Sequence, residues 1–294
     1  MMRLSRPASS PQTLKIVPGE PLIAFKDVHI GFEEADVLRG VSFEVWPGET
    51  KVLLGESGSG KTLIMKMAAG LMRPDSGRIW VMGHDIGEMP EGELLDFRRN
   101  VGFVFQEGAL FDSMTVAENV AFRLREEDVS DEEIETRVRE ALHFVEMEDA
   151  IEKYPAELSG GMRRRVSIAR ALIDRPPIVF YDSPTAGLDP VTSQTIIMLI
   201  LRGRDLQGVT SLLATHRVQD AFGLASFQVN AQSKQVVRLD ANGANPASAE
   251  PKREGGPPTK VLVLREGQAY FEGDAIDMLH SSDEYLKKYL ASAE

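Results

Sequence analysis

The chain has 294 residues, 43% of them hydrophobic, which is enough to bury a core in one large domain or two modest ones. It contains no cysteine, and this excludes disulfide bonds and thiolate metal sites. The formal net charge of −12 argues against binding to nucleic acid or to an anionic membrane through bulk charge. No run approaches the roughly 20 apolar residues of a spanning helix, and the N-terminus lacks the apolar core of a signal peptide. We therefore expect a cytoplasmic protein that reaches a membrane through a partner.

The N-terminal part combines a tail with two strands. Residues 1–20 are rich in Pro and Ser and are expected to be flexible. The patterns of Leu22–Ile30 and Val37–Val45 predict strands. Phe32 lies between them, where an aromatic ring either stacks on an adenine or fills a small core from an edge strand.

A glycine-rich segment between a strand and a helix predicts a phosphate site. It matches the pattern G-x-x-x-x-G-K-[ST] at every position and consists of Gly55, Glu56, Ser57, Gly58, Ser59, Gly60, Lys61 and Thr62. The glycines permit backbone N–H groups to converge on one anion, and the positive charge of Lys61 can reach the β- and γ-phosphates of a nucleotide. The hydroxyl of Thr62 suits Mg²⁺, which prefers hard oxygen ligands. The alternative is a glycine-rich turn that carries a chance lysine.

The middle of the chain changes from strands to helices. Val101–Phe105 has the pattern of a buried strand and places Gln106 at its end. From Thr115 to about Asp174 helical periodicity dominates, and the acidic stretch 126–140 is typical of a solvated helix face. We expect a helical subdomain at about residues 107–175.

A second candidate anion site lies inside this helical region. Ser159, Gly160 and Gly161 begin a helix, so a serine cap with exposed N–H donors can hold a phosphate. Alone, the same sequence is an ordinary helix cap. The three arginines that follow, Arg163–Arg165, are expected to be helix-surface charges rather than a nucleic-acid patch.

Two more buried strands end in polar residues. Ile178–Tyr181 is a continuous apolar run, typical of a central parallel strand, and ends at Asp182, whose carboxylate can hold Mg²⁺ through water. Thr210–Thr215 is the other strand, and His216 follows it. Because strands and helices alternate, the sheet should be largely parallel.

The C-terminal third is predicted to hold strands on either side of an insertion. Phe227–Leu239 and Val261–Phe271 alternate like edge strands, and about 240–259 predicts a flexible insertion because it lacks apolar periodicity. Short helices are expected at Ala275–Leu279 and Glu284–Leu290, and residues 282–294 form a C-terminal tail.

In this order, the motifs resemble those of the nucleotide-binding subunit of ABC transporters, from about residue 22 to 280. The matching elements are the Walker A loop Gly55–Thr62, the Q-loop residue Gln106, the signature Leu158–Met162, the Walker B strand Ile178–Asp182, the D-loop Gly187–Asp189 and the switch histidine His216. The resemblance implies an α/β fold: a P-loop NTPase (RecA-like) core with an N-terminal antiparallel β subdomain and an inserted α-helical subdomain. The ATPase domain is then expected to cover residues 21–281.

The resemblance also implies a head-to-tail homodimer in which each ATP, with Mg²⁺, lies between the Walker motifs of one subunit and the signature of the other. The implied nucleotide contacts are Phe32, the Walker A residues, Ser159, Gly160, Gly161 and Asp189. Thr62, Gln106 and Asp182 are the implied metal ligands. Gln106, His216 and the residue at position 183 are the implied catalytic residues.

Within the family, three features are most similar to the Mla/Mce-type lipid transporters: Gly108–Phe122, the signature ending in Met162, and Asp283–Leu290. The similarity implies that phospholipid or another hydrophobic substrate is moved by a separate integral membrane permease with an Mce-type lipid-binding protein. This subunit would lie on the cytoplasmic face of a bacterial inner membrane, contact the membrane through the permease and bind no nucleic acid. A soluble ABC protein of DNA repair or translation is the alternative from another class, although such a protein usually needs two cassettes, a coiled-coil insertion or a basic surface.

One position departs from the family. The residue after the Walker B Asp is normally Glu, which polarises the attacking water, but here it is Ser183. Serine does not act as a base near neutral pH without an activating neighbour. Three interpretations are open: slow hydrolysis driven by the remaining groups, replacement of the carboxylate by another group such as Glu107 or a partner residue, and a regulatory subunit that binds ATP with little turnover.

Overall fold

The computed structural model describes residues 19–32, 35–127, 129–239 and 259–291. Most of the expected N-terminal tail and insertion therefore lies outside the described residues, as do the last three residues of the expected C-terminal tail. Thr259, which the sequence assigns to the insertion, is buried and opens a strand. In the part of the chain that is described, no helix has the length and apolar character needed to cross a membrane.

The elements are numbered in chain order. The strands are β1 (Ile23–Phe32), β2 (Ala35–Val45), β3 (Thr50–Gly55), β4 (Ser76–Val81), β5 (His84–Asp85), β6 (Val101–Val104), β7 (Ile178–Asp182), β8 (Thr210–Ala214), β9 (Phe227–Val229), β10 (Val236–Arg238), β11 (Thr259–Arg265) and β12 (Gln268–Gly273). The helices are α1 (Lys61–Ala68), α2 (Glu91–Arg98), α3 (Val116–Ala121), α4 (Asp131–Phe144), α5 (Gly160–Leu172), α6 (Pro190–Gln207), α7 (Val218–Ser226), α8 (Ala275–Leu279) and α9 (Glu284–Ala291).

The central sheet has the strand order β12-β11-β3-β8-β7-β6 and is parallel except for β12. Its inner strands are mostly apolar and buried, as expected for parallel strands that are covered on both faces. In β3, Val52 and Leu54 point into one core and Leu53 points into the other, as the two-residue period of a strand requires. Helices α5, α6 and α7 contribute to the first core and α1 to the second. The polar residues predicted for the functional site, Gln106, Asp182 and His216, lie at or just after the ends of strands of this sheet.

A second sheet, with the order β2-β1-β4-β5, is antiparallel and packs beside the glycine loop. Phe25 and Phe43 stack across β1 and β2 with their ring centroids 4.7 Å apart. Leu38 of β2 reaches Gly60, where an added Cβ would stand 2.4 Å from the Leu38 Cδ2 atom. The antiparallel sheet therefore forms one wall of the glycine loop.

The helices α3, α4 and α5 follow β6, as the periodicity predicts. Thr115 caps α3 through a capping box with Glu118, and Ser130 caps α4. The acidic face of α4 is exposed and forms an ion pair between Glu135 and Arg139, one turn apart, while Val138 of the same helix is buried. The architecture is the predicted α/β core with an antiparallel β part and an inserted helical part.

Two expectations for the C-terminal third need correction. Val261–Phe271 is not one edge strand: it covers most of β11, which lies between β12 and β3 and is buried, and the start of β12, which is the edge strand of the sheet. Its continuous apolar run Val261–Leu264 is the pattern of a central strand. Phe227–Leu239 supplies β9 and β10, which form a separate two-stranded sheet. The two short C-terminal helices that the sequence predicts are confirmed as α8 and α9, and α9, which lies within the segment 282–294, packs on the domain with Leu286 buried.

Candidate functional site

The predicted site residues gather at one edge of the central sheet. Gly55 ends β3, Asp182 ends β7, and His216 and Gln106 each follow a strand, β8 and β6, by two residues. Carboxyl ends of parallel strands share an edge, and ligands of open α/β sheets bind outside that edge. The topology alone therefore assembles one site from segments that are distant in the sequence.

The glycine loop between β3 and α1 is shaped for an anion. Gly58 and Gly60 have φ angles of +81° and +94°, a region that favours glycine. Gly60 also has no room for a side chain because Leu38 is in the way. Gly60 is the N-cap of α1, whose first N–H groups and dipole favour a phosphate at this end. The loop fits the β- and γ-phosphates of a nucleotide.

The side chain of Lys61 forms hydrogen bonds with the glycine loop that precedes it. Its Nζ atom donates to the carbonyl oxygens of Gly55 and Glu56, each at 2.8 Å, and to the hydroxyl oxygen of Ser59 at 3.2 Å. Burial lowers the pKa of Lys61, and the charges of Asp182 and Glu56 oppose that shift. Oxygens of a bound triphosphate would accept hydrogen bonds from the same ammonium group, and their negative charge would balance its positive charge.

Thr62 and Asp182 form the candidate metal site. The Thr62 hydroxyl donates to the Asp182 Oδ2 atom at 3.0 Å, so two hard oxygen ligands lie together next to the glycine loop. Within the described residues, no group of three or more His, Cys, Asp or Glu side chains could hold a metal by itself. This donor set fits Mg²⁺, which keeps several waters and binds through one or two protein oxygens together with substrate phosphates.

Ser183 lies beside Asp182, with a strained backbone. Its φ angle is +48°, which is uncommon for a residue other than glycine. Its N–H group donates to Ala214 of β8 at 2.8 Å, its carbonyl oxygen accepts from Arg164 at 2.9 Å, and its hydroxyl donates to Asp182 at 3.3 Å. Three hydrogen bonds thus fix Ser183. Its hydroxyl is bonded to Asp182, and its side chain supplies no base.

Arg164 corrects the expectation that all three signature-helix arginines are surface charges. It is only 5% exposed, and burial lowers its pKa, while the charges of Glu107 and Asp182 oppose the shift. Sequence reasoning missed this contact with the Walker B segment. The available signal was its spacing, because Arg164 is three residues after Gly161 and four before Ile168 and so shares their buried face of α5.

A buried carboxylate, also missed, joins the Walker B segment to the loop of His216. The Asp220 Oδ2 atom accepts from the hydroxyls of Thr185 and Thr215, at 2.6 and 2.7 Å. Thr185 follows Ser183 by two residues, and Thr215 directly precedes His216. Asp220 is 2% exposed, so the two loops share one desolvated acceptor. Its signal was the placement of an acidic residue on the first turn of α7, facing the end of β8.

Other predicted residues stand at the rim of this cluster. His216 and Gln106 are exposed, and Phe32, at the end of β1, is 49% exposed. Within the described residues, no hydrogen bond joins any of the three to the pair formed by Thr62 and Asp182. The exposure of Phe32 argues against the small-core alternative and leaves its ring accessible to an adenine.

The signature residues Ser159–Gly161 form the N-terminal cap of α5, which is a second candidate anion site besides the glycine loop. The Ser159 hydroxyl accepts from the Met162 N–H group at 3.3 Å and leaves Ser159 and Gly160 exposed at the start of α5. Gly161 is packed against Thr192 of α6, where an added Cβ would stand 2.3 Å from the Thr192 Cγ2 atom. Asp189 caps α6, and hydrogen bonds from Thr192 lower its pKa. Signature and D-loop are thus linked through Thr192.

Comparisons with known proteins agree with this geometry. Residues 38–186 match the family model described as ABC transporter. The methionine import ATP-binding protein MetN of Carboxydothermus hydrogenoformans is 39% identical over 201 residues, which are 67% of this chain and 60% of MetN. The cell division ATP-binding protein FtsE of Escherichia coli is 38% identical over 200 residues, 67% of this chain and 89% of FtsE. The chain thus spans about 60% of the length of this MetN relative.

Among solved structures, the dimeric ATP-binding cassette MJ0796 in a post-hydrolysis state, bound to ADP and Pi, has a TM-score of 0.68 and 27% identity. The alignment covers 86% of this chain and 98% of that one. ABC ATPase domains bind ATP with Mg²⁺, and the glycine loop and the pair formed by Thr62 and Asp182 fit both. From its sequence, its fold and its site, the chain belongs to the ABC transporter family.

Proposed function

We propose that this protein is the ATP-binding subunit of an ABC transporter and couples ATP binding and hydrolysis to transport by a separate membrane permease. The observation that carries the proposal is the convergence of Lys61, Thr62 and Asp182 at the mouth of the glycine loop. Thr62 and Asp182 would hold Mg²⁺ there, and the metal would supply positive charge next to the phosphates. Lys61 and the N–H groups of the loop hold the same phosphates from the protein side.

The working unit is a head-to-tail homodimer. Each chain has two anion cradles, the glycine loop and the exposed cap at Ser159 and Gly160. In the proposed dimer, the cap of one copy closes the nucleotide site of the other. The dimeric state of the MJ0796 cassette supports this assembly.

Hydrolysis in this dimer is slow, because Ser183 replaces the usual carboxylate. Phosphoryl transfer depends mainly on positioning and charge stabilisation, so turnover persists without a base. Gln106 and His216, exposed at the rim, orient the water and the γ-phosphate. The alternative, in which Glu107 replaces the missing carboxylate, has only indirect support: the charge of Glu107 acts on Arg164, which donates to the Ser183 carbonyl oxygen.

The surface next to Gln106 is the proposed docking site for the permease. Phe111 and Phe122 form a tilted pair with centroids 4.6 Å apart and are 42% and 37% exposed. The buried Asn119 side chain fixes this segment by accepting from the Phe111 N–H group at 2.7 Å and donating to the Phe111 carbonyl oxygen at 3.1 Å. A rigid aromatic pair beside the Q-loop suits a short permease helix on the cytoplasmic face of a bacterial inner membrane.

For the cargo we propose phospholipid or another hydrophobic molecule, delivered with an Mce-type lipid-binding protein. The similarity of Gly108–Phe122, Met162 and Asp283–Leu290 to Mla/Mce-type subunits supports this choice. A second candidate is import of a small polar solute, which is favoured by the names of the MetN relatives. The two candidates share the same ATP-binding role and differ in the permease.

Purification of the native membrane complex tests the proposal. We expect this chain to co-purify with a permease and an Mce-domain protein, and phospholipid to be recovered from the complex. Phe111→Asp should abolish co-purification, whereas the control Tyr154→Asp, at an exposed aromatic near the signature, should not. Stimulation of ATPase activity by methionine, without bound lipid, would reject the lipid cargo. Full recovery of the chain in a soluble, permease-free fraction would reject the transporter role.

A further inference from the structure

The C-terminal helix α9 reaches the beginning of the phosphate loop. The Gly55 N–H group donates to the Tyr289 hydroxyl oxygen at 2.9 Å across 234 positions of sequence. The carbonyl oxygen of the same glycine accepts from Lys61 at 2.8 Å. Both backbone polar groups of Gly55 are therefore engaged by side chains, one on either side of the loop.

Gly55 is the residue where β3 leaves the sheet, and its N–H group needs a partner there. Pairing of β3 with β8 ends at Leu53, while pairing with β11 continues to Leu264 beside Gly55. A buried backbone donor without a partner costs about as much as a lost hydrogen bond. An added Cβ at Gly55 would stand 2.6 Å from the Leu264 carbonyl oxygen and 2.8 Å from the Ser59 hydroxyl, so the loop has little room to adjust. The Tyr289 hydroxyl meets this requirement.

The position of Tyr289 is fixed by the docking of α9. Tyr285 contacts Tyr270 edge-on at 5.0 Å and stacks on Tyr289 at 6.1 Å. The Arg265 guanidinium lies 4.2 Å from the centre of the Tyr285 ring. Asp283 accepts from the Tyr270 hydroxyl at 2.7 Å and from the Leu286 N–H group at 2.9 Å, which caps the helix. The helix thus presents Tyr289 to the loop in one orientation.

The phenol of Tyr289 is suited to this contact. Burial raises the pKa of Tyr289 to about 12, and the Gly55 N–H group opposes the shift. The side chain is therefore neutral at physiological pH, and its oxygen accepts from Gly55 without placing a negative charge beside incoming phosphates.

We propose that Tyr289 is a positioning residue for nucleotide binding, which holds the first N–H group of the phosphate loop and presets the loop for the triphosphate. Docking of α9 and affinity for ATP are then coupled, because undocking removes the acceptor from Gly55. The inference depends on ATP binding by this chain and is independent of the cargo and of the permease.

Tyr289→Phe in the full-length chain tests the proposal, because it removes one oxygen and keeps the ring stack. Tyr285→Phe is the matched control on the same helix. We expect Tyr289→Phe to raise both the Kd and the KM for Mg-ATP about fivefold, equivalent to about 1 kcal/mol, with kcat within twofold of wild type. Tyr285→Phe should leave both constants unchanged.

A second readout on nucleotide-free protein separates loop positioning from general stability. Hydrogen exchange of the Gly55 amide should be several-fold faster in Tyr289→Phe, while exchange in the middle of β7 stays the same. Unchanged ATP affinity in Tyr289→Phe would overturn the proposal. Equal losses of affinity in the two Phe variants, or uniform acceleration of exchange through the sheet, would also overturn it, since either result assigns α9 a purely structural role.

Discussion

The phosphate-binding and hydrolytic halves of the site differ in how complete they are within one chain. On the binding side, Lys61 is hydrogen-bonded to the glycine loop, and Thr62 is hydrogen-bonded to Asp182. On the hydrolytic side, Gln106 and His216 stand exposed at the rim, and Ser183 takes the position of a carboxylate. The difference teaches that one chain already assembles the residues proposed to hold the phosphates and Mg²⁺, whereas at the proposed hydrolytic position it lacks the usual carboxylate.

Removal of Lys61 should impair the phosphate-binding half of the site and gives the largest expected effect. Lys61→Ala deletes a charged donor that bonds the loop and, in the complex, the phosphates. We expect Mg-ATP affinity to fall about a hundredfold, or about 2.7 kcal/mol, in calorimetric titrations. Lys66→Ala, later in α1, is the control and should bind as wild type. Unaltered affinity of Lys61→Ala would mean that the nucleotide lies elsewhere.

Loss of the threonine hydroxyl tests the metal part of the same half. Thr62→Val keeps the shape and removes one hard oxygen next to Asp182. We expect the Mg²⁺ concentration for half-maximal ATPase activity to rise about tenfold, which corresponds to about 1.4 kcal/mol. Thr195→Val, at a half-buried position of α6 away from the glycine loop, is the control. An identical magnesium dependence in Thr62→Val and wild type would exclude the hydroxyl as a ligand.

The buried carboxylate of Asp220, which links the Walker B segment to the loop of His216, provides a test of the hydrolytic half. Asp220→Asn weakens the shared acceptance from Thr185 and Thr215, so the loop that carries His216 should loosen. We expect the free energy of unfolding to fall by about 2 kcal/mol and kcat to fall several-fold, with ATP affinity nearly unchanged. Denaturant titration and steady-state kinetics measure both, with the exposed Asp277→Asn as the control. A drop in ATP affinity as large as the drop in kcat would show that the two halves are not separable.

The sequence predicts the binding half well, because its determinants are local. Glycine, lysine and threonine within eight consecutive positions define the loop, and a helix N-terminus follows directly. The central position of β11 was within reach, since Val261–Leu264 is continuously apolar, but the alternation of the longer segment favoured an edge strand. The cap at Ser159 was likewise predictable from a serine before two glycines.

Long-range contacts account for what the sequence did not predict. The hydrogen bond of Gly55 to Tyr289 joins the start of the loop to the C-terminal helix, which the sequence predicts as a helix but not as a neighbour of the loop. The contact of Arg164 with Ser183 depends on which face of α5 meets the sheet, and a run of three arginines conceals it. Such contacts follow from tertiary packing and leave no local pattern in the chain.

Ser183 is the residue on which the difference between the halves depends. The direct measurement compares wild type, Ser183→Glu and the uncharged control Ser183→Gln in two experiments on the same preparations: Mg-ATP titration and single-turnover hydrolysis in the assembled transporter. The account predicts superimposable titrations and a chemical step at least tenfold faster in Ser183→Glu alone, about 1.4 kcal/mol of barrier. Equal single-turnover rates for wild type and Ser183→Glu would contradict it and would mean that another group, such as Glu107, already performs the task of the missing carboxylate.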